Sequence, residues 1–254
     1  MLAHRRAARR LTGVLALTLP ALLAACATDH PRTAPADGAD PVPVQVDAAR
    51  DELAGLAAAA QDLHFVATYA WAPPGGPSRT VTWTSANDDS WRVDVPGWGQ
   101  GGTVDVSLAG TSDGLFQCAL PSTGRTRPAG CVRLGDTDDA VPRRLDPRVQ
   151  HPFTDWLEVL TDRRAPLAVA SATSPAGVTG RCYSVDSTAA SMNAPLDVGV
   201  YCFGEDGTPL AVRAALGSLT LTGKPGPGPG TVELAGAVTE DEPVGRDAPP
   251  PGTP

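Results

Sequence analysis

The chain has 254 residues, with 28 acidic and 20 basic side chains and a formal net charge of −8 at pH 7. This acidic balance argues against nucleic acid as a partner, because phosphate binding depends on basic groups that release counterions. With 27 glycines, 26 prolines and an aromatic share of 5%, the composition predicts one turn-rich, β-dominated domain with few long helices.

Residues 1–25 have the features of a secretion leader. Four arginines precede an apolar run over residues 11–25, which is short for a membrane-spanning helix. The sequence Leu23-Ala24-Ala25-Cys26 resembles the lipobox of bacterial lipoproteins, in which the cysteine receives a diacylglyceryl group and becomes the first residue of the mature chain. The alternatives are an ordinary signal peptide in which Cys26 is incidental, or an uncleaved membrane anchor.

Lipidation of Cys26 would place the protein on the extracytoplasmic face of the cell membrane, held by acyl chains such as palmitate. One acyl chain holds weakly, whereas two or three hold firmly, because each buried methylene contributes about 0.8 kcal/mol. Cleavage would remove four arginines and no acid, leaving 16 basic and 28 acidic side chains and a net charge of −12. Residues 26–45 are rich in Pro, Ala and Asp and are expected to form a flexible tether.

The domain is predicted to extend over residues 46–239. Leu53, Leu56, Ala57, Ala60 and Leu63 have helical spacing, which predicts a first helix over 46–63. Alternating apolar residues then predict an antiparallel meander with one wet face. A second apolar stripe predicts a helix over 153–160, with Pro152 at its start.

The final third is predicted to return to strands. An Asp206-Gly207 turn separates two alternating runs, which is a strong hairpin pattern. Further strands are expected over residues 218–222 and 231–238. The segment 240–254 is acidic and rich in proline, and is predicted to be a disordered tail.

If Cys26 is lipidated, an even number of cysteines remains, which in a secreted protein indicates disulfide bonds. These are Cys118, Cys131, Cys182 and Cys202, and they allow three pairings. Local pairing of Cys118 with Cys131 and of Cys182 with Cys202 is favoured, since each bond would contribute about 3 kcal/mol in the chain-entropy account. A zinc site is the competing interpretation, but there is no Cys-x-x-Cys pair and the histidines are scattered.

The order of these parts resembles the LolA/LppX-like superfamily of bacterial, notably actinobacterial, lipoproteins. The resemblance depends on two pairs of cysteine-containing segments. LFQC (115–118) is followed by GCV (130–132), and RCYSV (181–185) is followed by YCFGEDGTPL (201–210). The resemblance implies an α+β fold in which a strongly curved antiparallel β half-barrel wraps around a few helices. It also implies an apolar cavity for acyl chains, with no catalytic residue and no cofactor.

Several large side chains could line such a cavity: Trp71, Trp83, Trp91, Trp156 and Phe153. For each of them, simple filling of the core is the competing interpretation. The leading hypothesis is a membrane-anchored lipoprotein that binds or carries a lipid or other apolar ligand. The alternative is a non-catalytic interaction or sensor module on the same scaffold, with another envelope protein as its partner.

Three motifs suggest chemistry but have the wrong context. Residues 97–102 match G-x-G-x-x-G, but a strand rather than a helix is expected to follow. Residues 110–114 match G-x-S-x-G, but a hairpin is expected there instead of a nucleophile elbow. Asp136, Asp138 and Asp139 lack the later glycine and glutamate of a calcium loop. No enzymatic activity or metal site is therefore expected, and His64 is interpreted as a surface or capping residue.

Overall fold

The computed structural model describes residues 45–189 and 194–248. Residues 1–25, Cys26 and most of the tether lie outside the described residues, as do residues 249–254. The described chain contains helices α1 (Gln45–Gln61) and α2 (Asp155–Thr161), and strands β1 (Phe65–Ala72), β2 (Arg79–Ser85), β3 (Trp91–Gly99), β4 (Val104–Thr111), β5 (Gly114–Leu120), β6 (Gly130–Gly135), β7 (Leu167–Ala172), β8 (Arg181–Ser187), β9 (Gly199–Phe203), β10 (Pro209–Ala214), β11 (Gly217–Leu221), β12 (Gly226–Pro227) and β13 (Ala237–Val238).

The strands form one open sheet in the order β13-β6-β5-β4-β3-β2-β1-β11-β10-β9-β8-β7, and β12 pairs with β1. The pairings are antiparallel except that of β13 with β6. The fold is therefore α+β and dominated by an antiparallel sheet, as the sequence predicts. Among the described residues, no helix has the length and apolar character needed to cross a membrane.

Helix α1 confirms the predicted helix to within two residues at each end. Its buried face consists of Ala49, Leu53, Ala57 and Ala60. Arg50 on the same helix donates hydrogen bonds to the carbonyl oxygens of Asp162, Ala165 and Leu167, at 2.9, 2.8 and 2.6 Å. One guanidinium thus connects α1 to the segment that links α2 to β7.

The second predicted helix is broken near its start. A short 3-10 helix covers His151–Phe153, and α2 begins only after Thr154, whose φ and ψ of −126° and −114° are not helical. The break lets Phe153 contact β1 and β2 while Trp156, on α2, contacts Tyr201 on β9. The two aromatic side chains therefore reach different parts of the sheet.

The sheet face that packs against the helices is called here the inner face. Alternating residues of β1 to β4, including Tyr69, Trp83, Val93 and Leu108, lie on it in one core with Leu53. The meander prediction requires the opposite, outer face to be wet. Strands β4 and β5 do not follow this prediction, because nearly all of their residues are buried, on the outer face as well as on the inner face.

The C-terminal strap, residues 229–248, explains the burial of both faces. Val232 packs on the outer face against Ala86 and Ala109. The strap then pairs with the edge strand β6 through β13, and Val244 packs against the inner core. The strap therefore passes around the edge of the sheet. The predicted strand over 231–238 is reduced to β13. In the segment for which the composition predicts a disordered tail, Val244, Gly245 and Arg246 form hydrogen bonds with Gln117, Gln100 and Gly101.

Gln117 on β5 holds the inner part of the strap. Its Nε2 donates to the carbonyl oxygen of Val244 at 3.0 Å, and its Oε1 accepts the Val244 N–H at 2.6 Å. The side chain is almost fully buried and copies the two hydrogen bonds of a β-ladder. A polar residue at this core position is thereby satisfied.

Gln117→Leu is expected to release the strap, because it leaves both polar backbone groups of Val244 without their partner, at a cost of about 1–3 kcal/mol. Limited trypsin digestion should then cut after Arg246, which is exposed, faster than in the wild type. Gln61→Leu makes the same chemical change at an exposed position and should leave the rate unchanged. Equal cleavage rates in the wild type and Gln117→Leu would contradict this role.

Both predicted disulfide pairings are confirmed. Cys118 and Cys131 are directly opposite each other on β5 and β6, and Cys182 and Cys202 are opposite on β8 and β9. Each bond joins neighbouring antiparallel strands and so reinforces a local pairing. The bonds do not tie the distant ends of the sheet together.

Candidate functional site

A cleft of about 680 Å³ lies on the inner face between the sheet and the segment that leads into α2. Strands β2, β3 and β5 supply Trp83, Trp91 and Leu115 to its wall, and the 3-10 helix supplies Phe153. Residues 137–141, which follow β6, close another side. Its size is within the range of small-molecule sites.

The apolar wall of the cleft is a stack of three aromatic rings. Trp83 lies between Trp91 and Phe153, with ring centroids 5.7 and 4.6 Å away and interplanar angles of 19° and 14°. Tyr69 meets Phe153 edge-on at 5.0 Å. Trp83 and Phe153 are buried, whereas Trp91 is half-buried. Part of the Trp91 ring is therefore available to a ligand.

Gly110 on β4 provides the space in which the Trp91 side chain lies. The two residues are paired across β3 and β4, and a Cβ atom at position 110 would be 2.4 Å from the indole Nε1. Gly110 is the first glycine of the G-x-S-x-G match. The last, Gly114, has φ of +133° and faces the carbonyl oxygen of Gly135, which a Cβ atom would approach to 2.6 Å. Packing accounts for both glycines, in a tight β4–β5 hairpin that the sequence predicts.

The G-x-G-x-x-G match has a comparable structural role. A Cβ atom on Gly99 would collide with Val244 of the strap, at 2.5 Å from Cγ1. Nearby, the N–H groups of Gln100 and Gly101 donate to the carbonyl oxygens of Gly245 and Arg246 at 2.9 and 2.8 Å. Strand β4 follows, in agreement with the sequence prediction. This glycine cluster receives the protein's own C-terminal strap.

His151 forms a charged bridge at the edge of the cleft. Its Nε2 is 2.9 Å from Asp146 Oδ2, its Nδ1 is 2.6 Å from Asp155 Oδ1, and its ring stacks on Trp156 at 5.4 Å. Burial alone would lower the pKa of His151, but the hydrogen bonds and charges of the two carboxylates raise it to about 9. Burial would likewise raise the pKa of Asp146, but the hydrogen bond and charge of His151 dominate and lower it. The bridge is therefore an imidazolium between two carboxylates at neutral pH.

The remaining wall of the cleft is acidic. Its lining includes five carboxylates, on Asp89, Asp138, Asp139, Asp155 and Glu158. Within the described part of the lining there is no arginine or lysine, so His151 supplies the cationic group. The cleft thus combines an aromatic wall with a negative one.

Asp136, Asp138 and Asp139 lie in a turn that follows β6. Asp139 Oδ2 accepts the Asp136 N–H at 2.8 Å, Asp136 forms an ion pair with Arg133 at 2.5 Å, and Thr137 Oγ1 donates to the Thr111 carbonyl oxygen at 2.5 Å. The turn is fixed against the end of β4. In the described ranges, no three His, Cys, Asp or Glu side chains are arranged to hold a metal ion.

The predicted cavity residues divide into two groups. Trp83, Trp91 and Phe153 line the cleft, whereas Trp71 and Trp156 do not. Trp71 is buried and donates its Nε1–H to the Leu216 carbonyl oxygen at 2.9 Å, and Trp156 packs between His151 and Tyr201. Both fill the core, which was the alternative interpretation. Cys26 lies outside the described residues.

Sequence reasoning missed two polar residues of the lining. Gln150 Oε1 and His64 Nδ1 are buried, and neither has a hydrogen-bond partner among the described residues. His64 is half-buried rather than a surface residue, and Gln150 uses its Nε2 to donate to Asp146 at 2.7 Å. No sequence pattern distinguishes either residue, because both acquire their position from contacts between distant segments.

Comparison with known proteins gives no assignment. No protein-family model matches the chain. No curated protein matches it either. The geometry of the cleft and the sequence patterns therefore carry the functional argument.

Proposed function

We propose that this chain is a membrane-anchored extracytoplasmic lipoprotein that binds the apolar part of a ligand in the cleft. Cys26 would carry the acyl anchor, and residues 26–45 would tether the domain. The observation that carries the binding proposal is the stack of Trp91, Trp83 and Phe153 in the wall of a cleft of about 680 Å³. Such a surface is what an apolar ligand body needs.

The open sheet supports the resemblance to LolA/LppX-like proteins. A sheet dominated by antiparallel pairs, with α1 and α2 packed in the same core as its inner face, is compatible with a half-barrel around helices. In that family the ligands are acyl chains of lipids or lipoproteins. A lipid or a similar apolar molecule is therefore the first class of ligand to seek.

One observation favours the alternative, a non-catalytic interaction or sensor module. Much of the space between helices and sheet is filled by buried side chains, including Trp71, Trp156, Leu157 and Tyr201. A chain that works only through its surface needs no larger cavity. The two functions differ in whether a molecule occupies the cleft.

The test is mass spectrometry of the compounds extracted from gently purified protein. Ala140→Trp adds a large side chain to an exposed residue of the cleft wall and is expected to reduce the co-purified ligand several-fold. Ala176→Trp, in an exposed turn away from the cleft, is the matched control and should retain the ligand. Cys26→Ser should move the protein from the membrane fraction to the fluid outside it.

Three outcomes would contradict parts of the proposal. Wild-type protein without any co-purified compound would favour the interaction module. Equal ligand content in the Ala140→Trp and Ala176→Trp variants would place the ligand elsewhere. If Cys26→Ser remained in the membrane fraction, the proposal that acyl chains on Cys26 anchor the protein would be contradicted.

A further inference from the structure

The cleft has a charge as well as an apolar wall. Three of its five carboxylates, on Asp89, Asp138 and Glu158, form no ion pair or side-chain hydrogen bond with the described residues. The other two are engaged, because Asp139 caps its own turn and Asp155 binds His151. Three negative charges are therefore left to act on whatever enters the cleft.

The position of these charges strengthens their effect. Carboxylates that line one concave surface add their potentials, and the low-dielectric wall formed by aromatic rings focuses that potential into the cleft. Asp89 lines the cleft from the β2–β3 turn, where its φ is +64°. An anionic head group placed beside the aromatic stack would be repelled, whereas a cation would be attracted.

The aromatic wall has the same preference. The face of an indole ring is electronegative, and a cation within about 6 Å of its centroid is attracted. Trp91 is half-buried and lines the cleft, so a ligand can reach part of its ring. One chemical class, an apolar body with a positive charge, matches both the ring and the carboxylates.

A second observation points to a ligand that donates hydrogen bonds. Gln150 is 2% exposed and lines the cleft, and its Oε1 accepts no hydrogen bond from the described residues. A buried acceptor that is left without a partner destabilises the fold. Because Oε1 itself is buried, an N–H group of a ligand would satisfy it after a rotation of the Gln150 side chain towards the cleft.

We propose that the cleft selects an amphipathic amine in its protonated form, whose apolar part lies along Trp91 and Trp83 and whose ammonium group faces Asp89, Asp138 and Glu158. This inference rests on the proposed function, because it specifies the ligand of the same cleft. It differs from that function in excluding anionic lipids as ligands. The net charge, −8 for the full chain and −12 after removal of the leader, also favours the approach of a cation.

The test compares octylammonium, 1-octanol and octyl sulfate, which share a chain and differ in head-group charge. Each is titrated into ¹⁵N-labelled protein while the indole N–H resonance of Trp91 is followed, with Trp91→Phe used to assign that resonance. Octylammonium is expected to bind about tenfold more tightly than octanol, and octyl sulfate more weakly than either. Added salt should weaken the binding of octylammonium and leave that of octanol unchanged.

A triple variant, Asp89→Asn, Asp138→Asn and Glu158→Gln, removes the three unpaired charges at exposed positions. Asparagine tolerates the positive φ at position 89, so the turn should be retained. The dissociation constant for octylammonium should rise about tenfold, and that for octanol should not change. The control makes the same change of net charge at exposed residues outside the cleft, Asp186→Asn, Glu205→Gln and Glu240→Gln, and should bind like the wild type.

The outcomes separate the two proposals. Binding of octanol or octyl sulfate as tightly as octylammonium would overturn the inference and leave the apolar binding site in place. An equal loss of affinity in the cleft variant and the control variant would also overturn it, because the effect would then be due to net charge. No response of Trp91 to any of the three compounds would overturn both the inference and the proposed function.

Discussion

Replacement of Phe153 by alanine is expected to lower the free energy of unfolding by about 3–5 kcal/mol, the range for truncating a buried phenylalanine. The ring stacks on Trp83 at 4.6 Å and meets Tyr69 edge-on at 5.0 Å, so the substitution removes contacts with both β1 and β2. Each aromatic pair adds about 0.5–1.5 kcal/mol beyond the area that it buries. Urea denaturation followed by tryptophan fluorescence measures the loss.

Phe153→Leu is the matched control for this substitution. Leucine keeps an apolar side chain against Trp83 and Tyr69 but cannot stack, so a smaller loss of about 1–2 kcal/mol is expected. A loss below about 1 kcal/mol in Phe153→Ala would mean that the core closes over the missing ring. It would then also mean that the shape of the cleft is not fixed by the aromatic stack.

Elements set by local sequence were predictable. The helical spacing of α1, the Asp206-Gly207 turn between β9 and β10, and the two local disulfide bonds are found where the sequence places them. In each case the determining contacts lie within about one or two elements of the chain. Their patterns therefore survive in the sequence itself.

Long-range features were not predictable in the same way. The sheet brings β1 beside β11, and its outermost strand β7 was not expected, since residues 167–172 are short and rich in alanine. The strap defeats prediction from composition because its order comes from Gln117 and the glycine cluster, which lie more than a hundred residues earlier. The proline and acidic residues of the strap indicate that it is polar, but they do not indicate which residues of the chain it contacts.

The candidate site shows the same division. The aromatic residues stood out because large side chains are rare in this chain, and three of the five considered line the cleft. Its negative charge was hidden, since Asp89, Asp138 and Glu158 come from three separated turns or helices that only the fold brings together. The bridge of His151 was not predicted, although Asp146 and Asp155 lie just five positions before it and four after it.

The bridge of His151 leads to the second large effect, which depends on pH. In the folded protein the pKa of His151 is raised to about 9, against an ordinary value of 6.5. The charged form therefore contributes its full stabilisation below about pH 6.5, and this contribution is lost as the pH rises through about 9. The lowered pKa of Asp146 acts only at acid pH, so that carboxylate stays ionised throughout this window.

His151→Gln is accordingly expected to cost about 2–3 kcal/mol more at pH 6 than at pH 10, after allowance for the solvent screening of Asp155. Glutamine can still donate a hydrogen bond but carries no charge, so the variant isolates the effect of protonation. Asp155→Asn should remove only part of the pH dependence, because Asp146 is less exposed than Asp155 and remains paired with the imidazolium. Urea denaturation at the two pH values measures each difference. An equal loss of stability in His151→Gln at pH 6 and pH 10 would contradict this prediction. The side chain would then stabilise the fold through its shape and its stacking on Trp156, and not through its charge.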